Sequence, residues 1–270
     1  MKIRDVEYFV RTIGNGPKHL LFLHGFTGQH SNWSKIIDHF NDKSKFTFIL
    51  VDLLGHGKSE SPLPHHRYSM EHTLEDLKEI IESLGYNKVT VVGYSMGGRI
   101  ALSFANRYPH LVNKLVLESA SPGLRTEIER KDRVVQDELL ALKIENNGLD
   151  SFVDFWMNIP LFASQKQFLD DEKWEAIRKQ KLQNNEKGLA NSLRGIGTGC
   201  QPPLWDHLPL LSLPVLILTG ELDQKFVKIG KEMNALLPNA TFYKFLEAGH
   251  AIHVEQAEKF GKIVSEFCRN

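Results

Sequence analysis

The sequence predicts an α/β fold: a mostly parallel central sheet with helices on both faces, interrupted by a helical cap. Three observations predict it. Short apolar, β-branched runs recur along the 270 residues, helix-period segments alternate with them, and one long stretch breaks that alternation. Continuous apolar runs suit strands buried on both faces, which is the situation inside a parallel sheet. Alternation with helices is the pattern of a sheet covered on both sides.

The strand candidates are Leu20–Leu23, Phe46–Val51, Val89–Val92, Leu115–Leu117, Val215–Leu218 and Tyr243–Leu246. Each ends near Gly, Asp or a small polar residue. Ile3–Ile13 alternates more cleanly and reads as an outer antiparallel strand. Met70–Leu84, Gly97–Arg107 and Val227–Leu237 carry helical periodicity. Between about Pro122 and Pro203 no strand pattern occurs, over a stretch longer than ordinary α/β connections. Arg125–Leu142 and Asp171–Leu193 read there as helices, and Asn184–Gly188 is a turn signal. We read 1–270 as a single domain with 122–203 as a cap over the carboxyl ends of the strands.

Composition excludes several functions. Lys plus Arg equal Asp plus Glu at 33 each, so no global field draws nucleic acid or an anionic membrane. Apolar residues at 41% and charged residues at 24% are ordinary for a globular protein. No apolar run reaches membrane-spanning length, and the charged N-terminal residues do not suit a signal peptide. Cys200 and Cys268 lack metal-ligand spacing and demand no oxidising compartment. The expectation from composition is a cytoplasmic enzyme without a nucleic-acid partner or membrane insertion.

Gly93-Tyr94-Ser95-Met96-Gly97 lies between a strand and a helix, the context that a G-x-S-x-G nucleophile elbow requires. A sharp turn leaves no room for side chains two positions either side of the serine, so glycine stands there. His24-Gly25-Phe26 ends an earlier strand, which suits an oxyanion loop. The backbone N–H groups of Phe26 and Met96 are the natural donors to a developing negative charge. His24 is expected to fix this loop by hydrogen bonding, and the Asp52–Ser59 loop to be structural.

A serine needs a base, and the base an orienting acid. His250 stands on a loop after the Tyr243–Leu246 strand, with His253 ranked behind it. Asp223 follows the Val215–Leu218 strand, with Glu118 as the rival acid. The chain order Ser95, Asp223, His250 is that of a serine–acid–histidine triad on this kind of sheet. Arg99 lies one helical turn after Ser95 and can share its side of the helix. Arg125, Arg130 and Arg133 open the cap; most charges on such a helix face solvent, yet a guanidinium near the serine would bind a carboxylate bidentately. By spacing alone, Trp156 packs the cap.

The elbow, the His24-Gly25-Phe26 loop, the Asp52–Ser59 loop and the Gly249-His250 loop together resemble the α/β-hydrolase superfamily over nearly the whole chain. A narrower resemblance rests on Leu23-His24-Gly25-Phe26-Thr27-Gly28, Gly93 to Arg99, Glu118 to Leu124, and Gly197-Thr198-Gly199-Cys200-Gln201-Pro202. These segments look like the menaquinone-pathway 2-succinyl-6-hydroxy-2,4-cyclohexadiene-1-carboxylate (SHCHC) synthases. The resemblance implies a lyase that eliminates pyruvate from a cyclohexene polycarboxylate, with the triad acting as a base and no cofactor. It further implies that Arg99, Arg133 and Trp156 hold the substrate, with Tyr94 nearby. Where the family can place a further arginine, this chain has Lys181, which supplies charge without bidentate geometry. The alternatives are a serine esterase or C–C bond hydrolase using the same triad, and a non-catalytic receptor on the same fold.

Overall fold

The computed structural model describes residues 1–269. Seven strands form the main sheet, in the spatial order Val10–Ile13, Phe46–Val51, Lys18–Leu23, Val89–Tyr94, Val112–Glu118, Val215–Gly220, Ala240–Phe245. The first pairs antiparallel with Phe46–Val51, and every other neighbour is parallel. The strand that leads into Ser95 is therefore central, with three strands on each side.

Successive residues of the inner strands point to opposite layers. Leu21, Leu23, Val91, Leu115, Leu117 and Ile217 pack on one side with the Met70–Ser83 and Met96–Arg107 helices. Leu20, Phe22, Val92, Val116, Leu216 and Leu218 pack on the other with Trp33, Ile36, Phe260 and Val264. This two-sided burial is why those strands read as continuous apolar runs rather than alternating ones.

Three expectations about elements change. Ile3–Ile13 is not one strand: Lys2–Ile3 and Val6–Glu7 form a small hairpin, and only Val10–Ile13 joins the main sheet. The reversal falls on Arg4 (φ 46°) and Asp5 (φ 68°), short-range geometry that an apolar alternation hides. The first cap helix runs from Glu127 to Met157, well past Leu142, with a break at Gly148 (φ 79°, ψ 163°). Thr126 and Glu129 form a reciprocal cap at its start.

The expected helix Asp171–Leu193 is two, Asp171–Lys181 and Glu186–Ile196. Asn185 accepts from Gly188 N and caps the second, and Asn184 donates to the Thr27 carbonyl (3.0 Å). Asparagine side chains compete with helical backbone bonds and favour such breaks. A separate apolar cluster, including Ile144, Phe152, Met157, Leu189 and Leu193, holds these cap helices together and packs on Phe26.

Candidate active site

Ser95 sits at the turn between the central strand and the Met96–Arg107 helix with φ 50° and ψ −107°. A non-glycine residue there stores strain on the order of 1–3 kcal/mol, which the surrounding packing must hold. Its N–H donates to the Glu118 carbonyl (2.9 Å), and its own carbonyl accepts from Arg99 N (3.0 Å). A Cβ on Gly93 would lie 2.4 Å from the Gly97 carbonyl oxygen, and one on Gly97 would lie 2.1 Å from that of Leu23. The two glycines are thus required by close approach of backbone to backbone.

His250 Nε2 stands 3.0 Å from Ser95 Oγ, and His250 Nδ1 stands 2.6 Å from Asp223 Oδ2. Asp223 accepts an imidazole N–H, so the tautomer protonated at Nδ1 leaves Nε2 free to accept the serine proton. Asp223 Oδ1 also accepts from Phe226 N (3.3 Å) and caps the Gln224–Leu236 helix. The acid and the histidine come from loops after two adjacent parallel strands, joined by Leu222 N donating to the Ala248 carbonyl (2.9 Å). Phe226 packs on the imidazole with ring centres 4.7 Å apart.

Glu118, the rival acid, meets a different histidine. Its Oε1 accepts from His253 Nδ1 (2.9 Å) and His253 N (3.0 Å). Loop placement favoured Asp223 without excluding Glu118, because both lie at the carboxyl ends of buried strands on the same sheet edge.

Met96 opens its helix, so its N–H is one of the orphan donors of a helix start. Among the described residues neither Met96 N nor Phe26 N donates a hydrogen bond within the chain. Phe26 precedes Thr27, whose φ of 64° bends the loop sharply. His24 fixes this loop: its Nε2 accepts from Leu53 N (3.0 Å) and its Nδ1 bonds the Gly25 carbonyl (2.8 Å). Burial lowers the His24 pKa, in keeping with a neutral, structural ring. Asp52 is taken up by His30 and by Lys58 N, and His56 is buried with its pKa lowered by burial to about 3.

Beside Ser95 lies a cavity of about 180 Å³ whose walls include Phe26, Met96, Arg99, Arg133, Trp156 and His250. Arg99 is only 8% exposed. Its guanidinium donates to two neutral oxygens, Gln201 Oε1 (3.3 Å) and the Ile196 carbonyl (2.9 Å). Burial lowers its pKa to about 10, with the charge of Asp137 opposing the shift, so it stays cationic at neutral pH. Arg133 is partly neutralised, because its Nε donates to Asp137 Oδ1 at 2.7 Å.

Trp156 lines the cavity and also stacks on Phe152 (5.7 Å, 17° between planes), so packing and pocket lining are both its tasks. Arg125 lies over the Trp205 ring and pairs with Glu232. Arg130 donates to the carbonyls of Leu124 and Arg125, and neither arginine lines the cavity.

Two expected residues stand elsewhere. Tyr94 and Lys181 line a smaller neighbouring cavity, about 40 Å³, which shares Phe26 as a wall with the first. Lys181 Nζ donates to Thr27 Oγ1 (2.7 Å), and burial lowers its pKa to about 8. Lys225, which lines the serine cavity, and Gln201, which reaches it only through Arg99, were not singled out from the sequence. Lys225 sits two positions past Asp223 at a helix start, a spacing that could have marked it; the contact of Gln201 with Arg99 has no local signal. Among the described residues no group of three or more His, Cys, Asp or Glu could hold a metal ion, and no helix is long and apolar enough to cross a membrane.

The α/β hydrolase fold family model matches residues 18–257. A candidate SHCHC synthase of Bacillus subtilis (strain 168) is 46% identical over 263 residues, 97% of this chain and 94% of that protein. The SHCHC synthase of Salmonella paratyphi C (strain RKS4594) is 32% identical over 240 residues, 89% of each chain. The solved structure of MenH from S. aureus superimposes with a TM-score of 0.91 at 34% identity, covering 96% of this chain and 97% of that one. With an elbow, a histidine and an acid in the order of this fold and relatives matched over nearly their full lengths, the chain belongs to the α/β hydrolase family.

Proposed function

We propose that this chain is an SHCHC synthase of menaquinone biosynthesis. It eliminates pyruvate from 2-succinyl-5-enolpyruvyl-6-hydroxy-3-cyclohexene-1-carboxylate. The observation that carries the reading is Arg99, a buried guanidinium in the serine cavity with no carboxylate partner among the described residues. A cation is costly to bury unpaired, so the position makes sense when an anionic ligand completes it. The names of the relatives point to the same polycarboxylate chemistry.

In this reading Ser95, Asp223 and His250 are the catalytic residues. His250 draws the proton from Ser95 Oγ while Asp223 stabilises the imidazolium. The serine oxygen then removes a proton from the ring carbon, the double bonds shift, and the C–O bond to the enolpyruvyl group breaks. Negative charge developing on the substrate faces the Phe26 and Met96 N–H groups. His250 returns its proton as pyruvate leaves. Arg99, Arg133 and Trp156 hold the substrate, with Tyr94 and Lys181 in the neighbouring cavity behind Phe26, from which the Lys181 charge attracts the substrate's carboxylates. Residues 1–270 work as one domain, with 122–203 as a helical cap seated over the carboxyl ends of the strands.

The test is to supply the intermediate and follow pyruvate and the conjugated diene together. Both should rise in step; pyruvate without the diene would mean a different reaction. Faster cleavage of an activated ester than of this intermediate would favour a serine hydrolase.

Arg99→Met should lower kcat/KM by about 10- to 10²-fold, the size of one charge-assisted contact. Its thermal midpoint should hold or rise, because a buried unpaired cation is lost. A lower midpoint with intact kinetics would make Arg99 purely structural.

Lys181 adds a pH dependence. Its cation must be present to attract a carboxylate, and its pKa in the free protein is about 8. KM should therefore climb as pH rises through that value, while Lys181→Arg should flatten the rise because arginine stays charged. A KM rise unchanged in the arginine variant would remove Lys181 from the site.

A further inference from the structure

The strands that carry the proposed base and its acid do not touch the strand that carries the nucleophile. His250 follows Ala240–Phe245, three strands from Val89–Tyr94, and Asp223 follows Val215–Gly220, two strands away. Asp223 orients the imidazole but cannot by itself set its distance from Ser95. The strand between them, Val112–Glu118, ends on Glu118 directly opposite Tyr94.

Glu118 makes contact in both directions. Its carbonyl accepts the Ser95 N–H (2.9 Å), and its carboxylate accepts two donors from His253, three residues after His250. The His253 ring is buried between Trp33 (ring centres 4.9 Å) and Tyr94 (4.5 Å). Glu255 holds the other side of the same loop, with Oε2 accepting from Gly249 N (2.6 Å) and Oε1 from Ser164 Oγ (2.8 Å). The Glu118 side chain is fully buried, and its Oε2 has no partner among the described residues. Burying a half-satisfied carboxylate is unfavourable, and apolar residues fill the neighbouring positions of this strand. Fold stability alone gives no reason for an acid here.

We propose that Glu118, acting through His253, is a positioning residue that fixes the separation between Ser95 and His250. The residue that anchors the serine backbone also anchors the histidine loop, so one side chain spans the gap that the sheet topology leaves. The inference rests on Ser95 and His250 being the reactive pair, as proposed above.

The test compares Glu118→Ala, Glu118→Gln and His253→Phe. The readouts are the rate at which a fluorophosphonate labels Ser95, kcat and KM for pyruvate release, and the downfield proton of the Asp223–His250 hydrogen bond. Glu118→Ala should lower labelling and kcat by about 10²-fold with KM within about threefold, the scale of an ångström-sized misplacement. Glu118→Gln should stay within about fivefold of the native rate, since its carbonyl can accept the same two N–H groups. The downfield proton should persist in every variant, because the Asp223–His250 pair is untouched.

Native labelling in Glu118→Ala would overturn the proposal. So would a Gln variant as slow as the Ala variant, which would make charge rather than position the cause. Loss of the downfield proton in a folded variant would also overturn it. If Glu118→Ala does not fold, His253→Phe keeps a ring between Trp33 and Tyr94 but lacks the Nδ1–H, and it should label about tenfold slower; no slowing overturns the proposal. The predicted labelling pattern without pyruvate release in the native protein would sink the synthase reading and leave this one standing.

Discussion

Replacing Ser95 with alanine should lower pyruvate release by roughly 10⁴- to 10⁶-fold, the range for a triad residue acting as part of a unit. The size follows from what is removed. Without Oγ, His250 Nε2, now 3.0 Å from that oxygen, has no relay to the substrate. Little else should change, because the strained φ of 50° falls on alanine as on serine and only one hydroxyl is removed from the cavity wall. Substrate affinity measured calorimetrically should stay within a few-fold of native, and fluorophosphonate labelling should vanish. Near-normal pyruvate release in this variant would mean that Ser95 is not the base and that the elbow only shapes the cavity.

Asp223→Asn should be nearly as damaging, with a loss of about 10⁴-fold in kcat, the magnitude of the same exchange in a serine triad. Asparagine can still accept from Phe226 N, so the helix cap and the fold should survive. Its amide, however, offers an N–H donor toward His250 Nδ1, where the carboxylate accepts at 2.6 Å. The imidazole is then driven to the tautomer protonated at Nε2, which cannot take the serine proton. The downfield proton signal should disappear with the activity. A loss under tenfold would show that another group orients His250, and Glu118 would be the first to examine.

Much of the fold was legible because buried parallel strands leave a simple signature. Val89–Tyr94 and Val215–Gly220 must be apolar on both faces, and a window of a few residues reports that directly. The cap was harder. Its breaks at Gly148 and at Asn184–Asn185 depend on single residues within long helical patterns, and the N-terminal hairpin depends on two residues with positive φ. Periodicity averages over such points.

The elbow belongs to what the sequence by itself determined. Gly93 and Ser95 report a tight turn through local geometry, since a Cβ on Gly93 would strike the Gly97 carbonyl within the turn itself, while Gly97 is also kept small by the Leu23 carbonyl of the neighbouring strand. The order of Ser95, Asp223 and His250 followed from the strands they come after. Loop placement already favoured Asp223 with His250, and tertiary structure added what the sequence did not show, the pairing of Glu118 with His253. Glu118 ends one buried strand, Asp223 lies just past another, and His250 and His253 are three residues apart, so local sequence ranks the pairings without excluding the second. Packing resolves them by placing Asp223 on His250 and Glu118 on His253. It also seats Arg99 beside the serine while Tyr94 and Lys181 fall behind Phe26. The physical reason is range: a turn is specified by neighbours along the chain, whereas a side chain's partner across the sheet depends on the packing of strands far apart in sequence.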